Sequence, residues 1–188
     1  MTRAAVTCLL GAALLLLGGC SSGETGETGE GSSDTGGATA STTAIRAGLV
    51  ELVVGARATR AERADARCFA DALLARTTPD QLRSAGVLDA SYDVVDELPI
   101  LSRDDAGTWV DAQFSCADFV DQSARAQEQL SHGAIDRARY AQCLREALTT
   151  EQLRAAVVDT LSGAWDGPAL ARFSAAQADC QRRAAPTS

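Results

Sequence analysis

The chain predicts an all-α fold: a disulfide-stapled helical bundle built from a degenerate tandem helical duplication. Three observations predict it. The stretches "CFADALLARTTPDQLRSAG" from Cys68 and "CLREALTTEQLRAAV" from Cys143 repeat one order of cysteine, Ala/Leu-rich helical segment, Thr pair, acid and Gln-Leu-Arg. Aromatic residues make up only 4% of the chain, so the core must be mostly Leu, Val and Ala, which suits closely packed helices better than a sheet. Cys68, Cys116, Cys143 and Cys180 each fall in a helical stretch, an even set available for staples.

The elements follow from local signals. "AIRAGLVELVVGA" reads as a first apolar helix ending near Gly55. "TRAE" at Thr59 is a capping box, in which a Thr hydroxyl and a Glu carboxylate satisfy each other's orphan backbone N–H groups. It opens a helix through Cys68 to about Arg76. "TPDQL" at Thr78 and "TTEQL" at Thr149 are capping boxes too, and Pro79 sits at the first helical position, where its missing N–H costs nothing. After the break at His132-Gly133, "GAIDRARYAQCLREAL" gives the second cysteine helix, and the spacing of Phe69, Leu73 and Leu74, like that of Leu144 and Leu148, is helical. "DDAGTWVDAQFSCADFVDQ" carries Cys116 and "GPALARFSAAQADCQRR" carries Cys180. One long helix is expected to close the first unit at Cys116 and open the second, up to Leu130. Between the units, "GVLDASYDVVDELPILSRDDAG" has apolar content without alternation, and Pro99 would interrupt a ladder, so a long ordered loop with a short helical turn is expected.

The N-terminus reads "MTRAAVTCLLGAALLLLGGCSSGETGETGEG". Arg3, an apolar run from Ala4 to Leu17 and the pair Gly18-Gly19 have the layout of an export signal. The run is shorter than the about 20 residues a spanning helix needs. "LGGC" at Leu17 to Cys20 resembles the lipobox of bacterial lipoproteins. That resemblance implies cleavage before Cys20, diacylation of its thiol, loss of Cys8 with the signal, and residence on the extracytoplasmic face of the cell membrane. Two acyl chains anchor stably, since each buried methylene contributes about 0.8 kcal/mol. Ser21 to about Ser41 is Gly, Ser, Thr and Glu with no apolar residue larger than Ala, a composition that cannot offset the entropy of ordering. It reads as a tether reaching on the order of 25 Å. The organisation is therefore signal peptide 1–19, lipidated cysteine and tether 20–41, and one helical domain 42–188 with units at about 42–116 and 117–188.

Outside the cytosol, four remaining cysteines argue for two disulfides. The duplication favours Cys68–Cys116 and Cys143–Cys180, one staple per unit; the alternative is Cys68–Cys143 with Cys116–Cys180. By loop closure each bridge contributes roughly 4 kcal/mol. No two of these cysteines lie close in sequence, no CxxC occurs and His132 is the sole histidine, which argues against zinc. No cofactor is expected.

All 17 basic residues are arginine and the net charge is −8. Acids crowd the segment from Asp80 to Asp121, where only Arg83 and Arg103 oppose them, and no basic surface exists to neutralise phosphates. Nucleic acid is excluded as a partner. His132, before Gly133, is placed as a solvated helix end rather than a proton shuttle, and no GxSxG, HExxH or Walker loop is present. The acidic loop from Asp89 to Asp105 lacks the ligand spacing and Gly of the Ca²⁺ loop motif. Arg57, Arg60, Arg63 and Arg67 recur at helical spacing and draw a basic stripe. The simplest account of that stripe is a solvent face lying against Glu62, Asp65 and the acidic loop. Together with Asp93, Asp96, Glu97, Asp104 and Asp105 these arginines are the candidate partner-binding residues. Trp109 and Trp165 are expected to be core anchors packed against a staple.

Anchor, tether and stapled helices together predict a non-catalytic interaction or ligand-binding module of the cell envelope. The body resembles, loosely, uncharacterised four-cysteine helical lipoproteins of high-GC Gram-positive bacteria, a resemblance that implies no activity. Its partner is then the membrane, through Cys20, and an envelope protein or small ligand. Two alternatives stand beside it: a small envelope enzyme working with a carboxylate pair, and a lipid carrier with an apolar cavity between helices.

Overall fold

The computed structural model describes residues 41–54 and 58–186. The signal, the lipobox, Cys20, the tether as far as residue 40, and Arg57 lie outside the described residues. Among the described residues eight helices follow one another: α1 (Thr42–Val53), α2 (Arg60–Leu74), α3 (Pro79–Ser84), α4 (Arg103–Phe114), α5 (Phe119–Leu130), α6 (Arg137–Ala147), α7 (Thr150–Leu161) and α8 (Pro168–Ala184). No named strand occurs among the described residues, and the fold is an all-helical bundle.

The starts obey the local chemistry. Thr59 with Glu62, Thr78 with Gln81 and Thr149 with Gln152 form complete capping boxes. Ser41, Ser102, Asp118 and Asp136 cap α1, α4, α5 and α6 with their side-chain oxygens. At the end of α5 the chain turns through left-handed His132 (φ 52°) and Gly133 (φ 82°), the latter donating back to the Glu128 carbonyl at 2.8 Å.

Two hydrophobic clusters form. The first joins α1 to α4 through Ile45, Leu49, Phe69, Leu73, Leu82, Leu101 and Trp109. The second joins α5 to α8 through Val120, Tyr140, Leu144, Leu153 and Cys180. Within each cluster the first helix packs on the second and the second on the fourth, a pattern the two halves share. Both predicted staples are present: Cys68–Cys116 ties α2 to the end of α4, and Cys143–Cys180 ties α6 to α8.

The halves differ at their third helix. α3 has 6 residues and α7 has 12. The extra turns let α7 cross between the clusters: Leu153 is buried in the second, while Val158 and Leu161 pack against the first. Polar ties fasten this crossing to α4, through Arg103 with Asp159 at 3.0 Å and Arg154 with Asp111.

Two expectations need correction. The junction is not one long helix: α4 ends at Phe114 and α5 begins after Asp118. Asp118 accepts from the Asp121 N–H, and Arg145 of α6 holds both carboxylates, at 2.9 and 3.0 Å. An acid that reads as an ordinary helical charge is thus a cap fixed from another helix. The loop between α3 and α4, which falls inside the first unit, also lacks the expected helical turn. Asp89 instead accepts from the Ser91 and Asp93 N–H groups, closing a tight turn across an isolated Leu88–Val94 bridge.

Candidate functional site

The expected site residues separate. Arg60 and Arg67 are exposed, while Arg63 pairs with Glu51 of α1 at 3.2 Å. Among the described residues Arg60 and Arg67 lie on a solvent face, as expected, and no ion pair joins the arginine stripe to the acidic loop. Glu62 is committed to the capping box. The hydrogen bond from the Thr59 backbone holds its carboxyl below the ordinary value, and the Arg125 charge assists.

The acidic loop has a more specific geometry. Its last part is pinned to the end of α7, where the Leu101 N–H donates to the Leu161 carbonyl at 2.9 Å. Pro99 lies over Gly86, and Ile100 lies over Gly163, whose φ of 72° turns the chain between α7 and α8. A Cβ on Gly163 would come within 3.2 Å of Ile100 Cγ2, so the two loops are in close contact. Two residues further along that turn stands Trp165. Ile100 is 70% exposed and Trp165 50% exposed, both large apolar side chains facing water. Trp165 is therefore no core anchor; Trp109 is one, buried and tilted at 56° against Phe69 with ring centroids 4.7 Å apart. The sequence could not separate the two tryptophans, because each follows a turn and lies near an Asp.

Carboxylates surround the exposed pair in the chain. Asp96, Glu97 and Asp104 flank Ile100, and Asp166 follows Trp165; all are exposed and form no ion pair among the described residues. Asp93, further back in the loop, is exposed too. Asp105 differs, since its carboxylate accepts from Ser102 Oγ at 2.5 Å and works as part of the α4 cap. Arg103, the one cation of this loop, is turned to Asp159. Each of the two exposed apolar side chains is thus neighboured along the chain by exposed carboxylates that form no ion pair among the described residues.

The alternatives meet less supportive geometry. Asp118 and Asp121 converge on one guanidinium. Desolvation raises the Asp118 pKa, but hydrogen bonds from the Asp121 backbone and Arg145, with the Arg145 charge, outweigh it and leave the carboxyl below its ordinary value. That suits a cap and not a proton donor. A cleft lined by Leu73, Thr77, Leu82, Val87, Leu101 and Trp109 has room for about one water, against the ~300 Å³ of a small ligand pocket. The described residues contain no group of three or more His, Cys, Asp or Glu side chains placed to hold a metal ion. None of their helices is long and apolar enough to cross a membrane.

The second unit contains a buried polar layer that the sequence did not announce. Tyr140 is fully buried and its hydroxyl has no hydrogen-bond partner of good geometry, although Ser123 and Gln177 stand beside it. Burial pushes the phenol pKa up, and those two neighbours counter it. Next to it Gln181 donates to Gln127 at 2.7 Å, linking α8 to α5.

The chain matches no family model, curated protein or solved structure. The surface chemistry alone therefore carries the functional argument.

Proposed function

We propose that the protein is a non-catalytic interaction module of the cell envelope, held on the membrane through a lipidated Cys20 and a flexible tether. Its docking face is the Ile100–Trp165 surface. The observation that carries this reading is two large apolar side chains held in water by pinned loops amid unpaired Asp96, Glu97, Asp104 and Asp166. Large exposed apolar groups rimmed by charge are characteristic of binding surfaces, and Trp is enriched among residues that dominate binding energy. The partner is a protein segment with an apolar anchor flanked by Arg or Lys, because opposite charge steers and registers association.

The test has two parts. Mass measurement of the mature chain from membranes is expected to find diacylated Cys20 at its N-terminus; an unmodified Cys20 or an uncleaved signal overturns the anchor. A photo-crosslinker placed at position 100 in intact cells is expected to capture one protein. That capture should weaken with salt and vanish in a Trp165→Ser, Asp166→Asn background. Undiminished capture in that background overturns the docking face. Capture of phospholipid in place of protein would support the lipid-carrier reading.

A further inference from the structure

The two disulfides occupy opposite environments. Cys143 is 8% exposed and Cys180 0%, both inside the second hydrophobic cluster. Cys68 is exposed and Cys116 only half-buried. The difference has a register cause. On α2 the core face is Ala66, Phe69, Ala70 and Leu73, at helical spacing, and Cys68 sits just off it. On α6 the core face is Tyr140, Ala141, Cys143 and Leu144, so the cysteine is part of it. Cys116 lies beyond the end of α4, one residue past its cap Ser115, in the short segment joining the units.

We infer that the Cys68–Cys116 bridge is a site of thiol–disulfide exchange with an envelope dithiol reductant, while Cys143–Cys180 is an inert staple. A thiolate of the reductant attacks Sγ of Cys68, the more exposed residue of the two; the Cys68–Cys116 bond breaks and Cys116 leaves as a thiolate. The second thiol of the reductant then displaces Cys68 from the mixed disulfide. Two electrons pass to this protein, the reductant becomes a disulfide, and the two cysteine thiolates take up protons. Accessibility governs such exchange, together with the stability of the departing thiolate. Ser115 Oγ lies 3.6 Å from Cys116 Sγ and donates its proton to the Ala112 carbonyl at 2.7 Å, so it could support the departing thiolate only by turning from that carbonyl. Phe69 on Trp109 keeps α2 on α4 after reduction. What is lost is the covalent tie of the segment between α4 and α5 to α2; Arg145 on Asp118 and Asp121, and the Phe114–Phe119 stack across the segment, remain.

The experiment uses the oxidised full chain, treated with dithiothreitol under native conditions, quenched with iodoacetamide over time and mapped by mass spectrometry. Cys68 and Cys116 are expected to be alkylated at least roughly tenfold faster than Cys143 and Cys180. With the monothiol glutathione as probe, the adduct is expected on Cys68. Equal rates for both pairs, which would report global unfolding, overturn the inference. So does resistance of Cys68–Cys116 until denaturant is added, or preferential loss of the buried bridge.

Discussion

Arg103 reaches from the start of α4 to Asp159, a carboxylate only 5% exposed on α7, at 3.0 Å. The pair ties together residues 56 positions apart in the chain. It also sets a charge where α8 begins. The α8 cap is Gly167, which makes no side-chain capping bond, and Asp159 Oδ2 fills the space a Cβ there would need. A carboxylate beside a helix N-terminus is stabilising. Arg103→Ala leaves that carboxylate without its cation, and a loss of about 1–2 kcal/mol is expected, moderated because the arginine is largely solvated. Gly167→Ala should destabilise by a similar amount through overpacking, about 1–3 kcal/mol. Urea denaturation of both variants checks this.

Gly48 of α1 packs closely on Val94 in the loop between α3 and α4. A Cβ on Gly48 would lie 2.6 Å from Val94 Cγ2. Gly48→Ala, ordinarily a gain in helix propensity, is expected here to cost about 1–3 kcal/mol. Val94→Ala should recover most of that loss in the double variant, and a cycle of thermal melts measures the coupling.

The two tryptophans should behave as opposites. Trp109→Ala is expected to destabilise by about 3–5 kcal/mol, because it empties the space against Phe69. Trp165→Ser should stay within about 0.5 kcal/mol of the parent. Acrylamide quenching read by fluorescence should find one accessible indole, lost in Trp165→Ser and retained in Trp109→Phe.

Acid sensitivity has a predictable sign. Glu62 and Asp118 both have folded-state pKa values below their ordinary 4.5 and 3.8. Their stabilisation is thus fully present above those values and is lost as pH falls through the lower, folded ones. Stability should be level through neutral pH and decline below about pH 4. Glu62→Gln and Asp118→Asn should each flatten that decline, as read by denaturation midpoints across the acid range.

The fold was legible wherever its cause was local. Capping boxes join residues three positions apart, so Thr59, Thr78 and Thr149 could be placed without tertiary knowledge. The disulfide pairing followed from the duplication itself. What stayed hidden was set by distant partners. The break before α5 depends on Arg145 holding Asp118 and Asp121. The arginine stripe was seen, but Glu51 as the partner of Arg63 was not. The candidate site was half legible: Asp96, Glu97 and Asp104 were singled out, whereas exposure of Ile100 and Trp165 depends on how two loops meet over Gly163. Nothing in the local sequence of either residue reports that meeting.

The straddling of α7 bears on how the molecule comes apart. A helix with Leu153 in one core and Leu161 against the other cannot melt with either half without exposing apolar surface in both. Although it has two hydrophobic clusters, the domain should lose its structure in a single cooperative step. Calorimetric and van't Hoff enthalpies should then agree, where two independent halves would give a calorimetric value about twice the other.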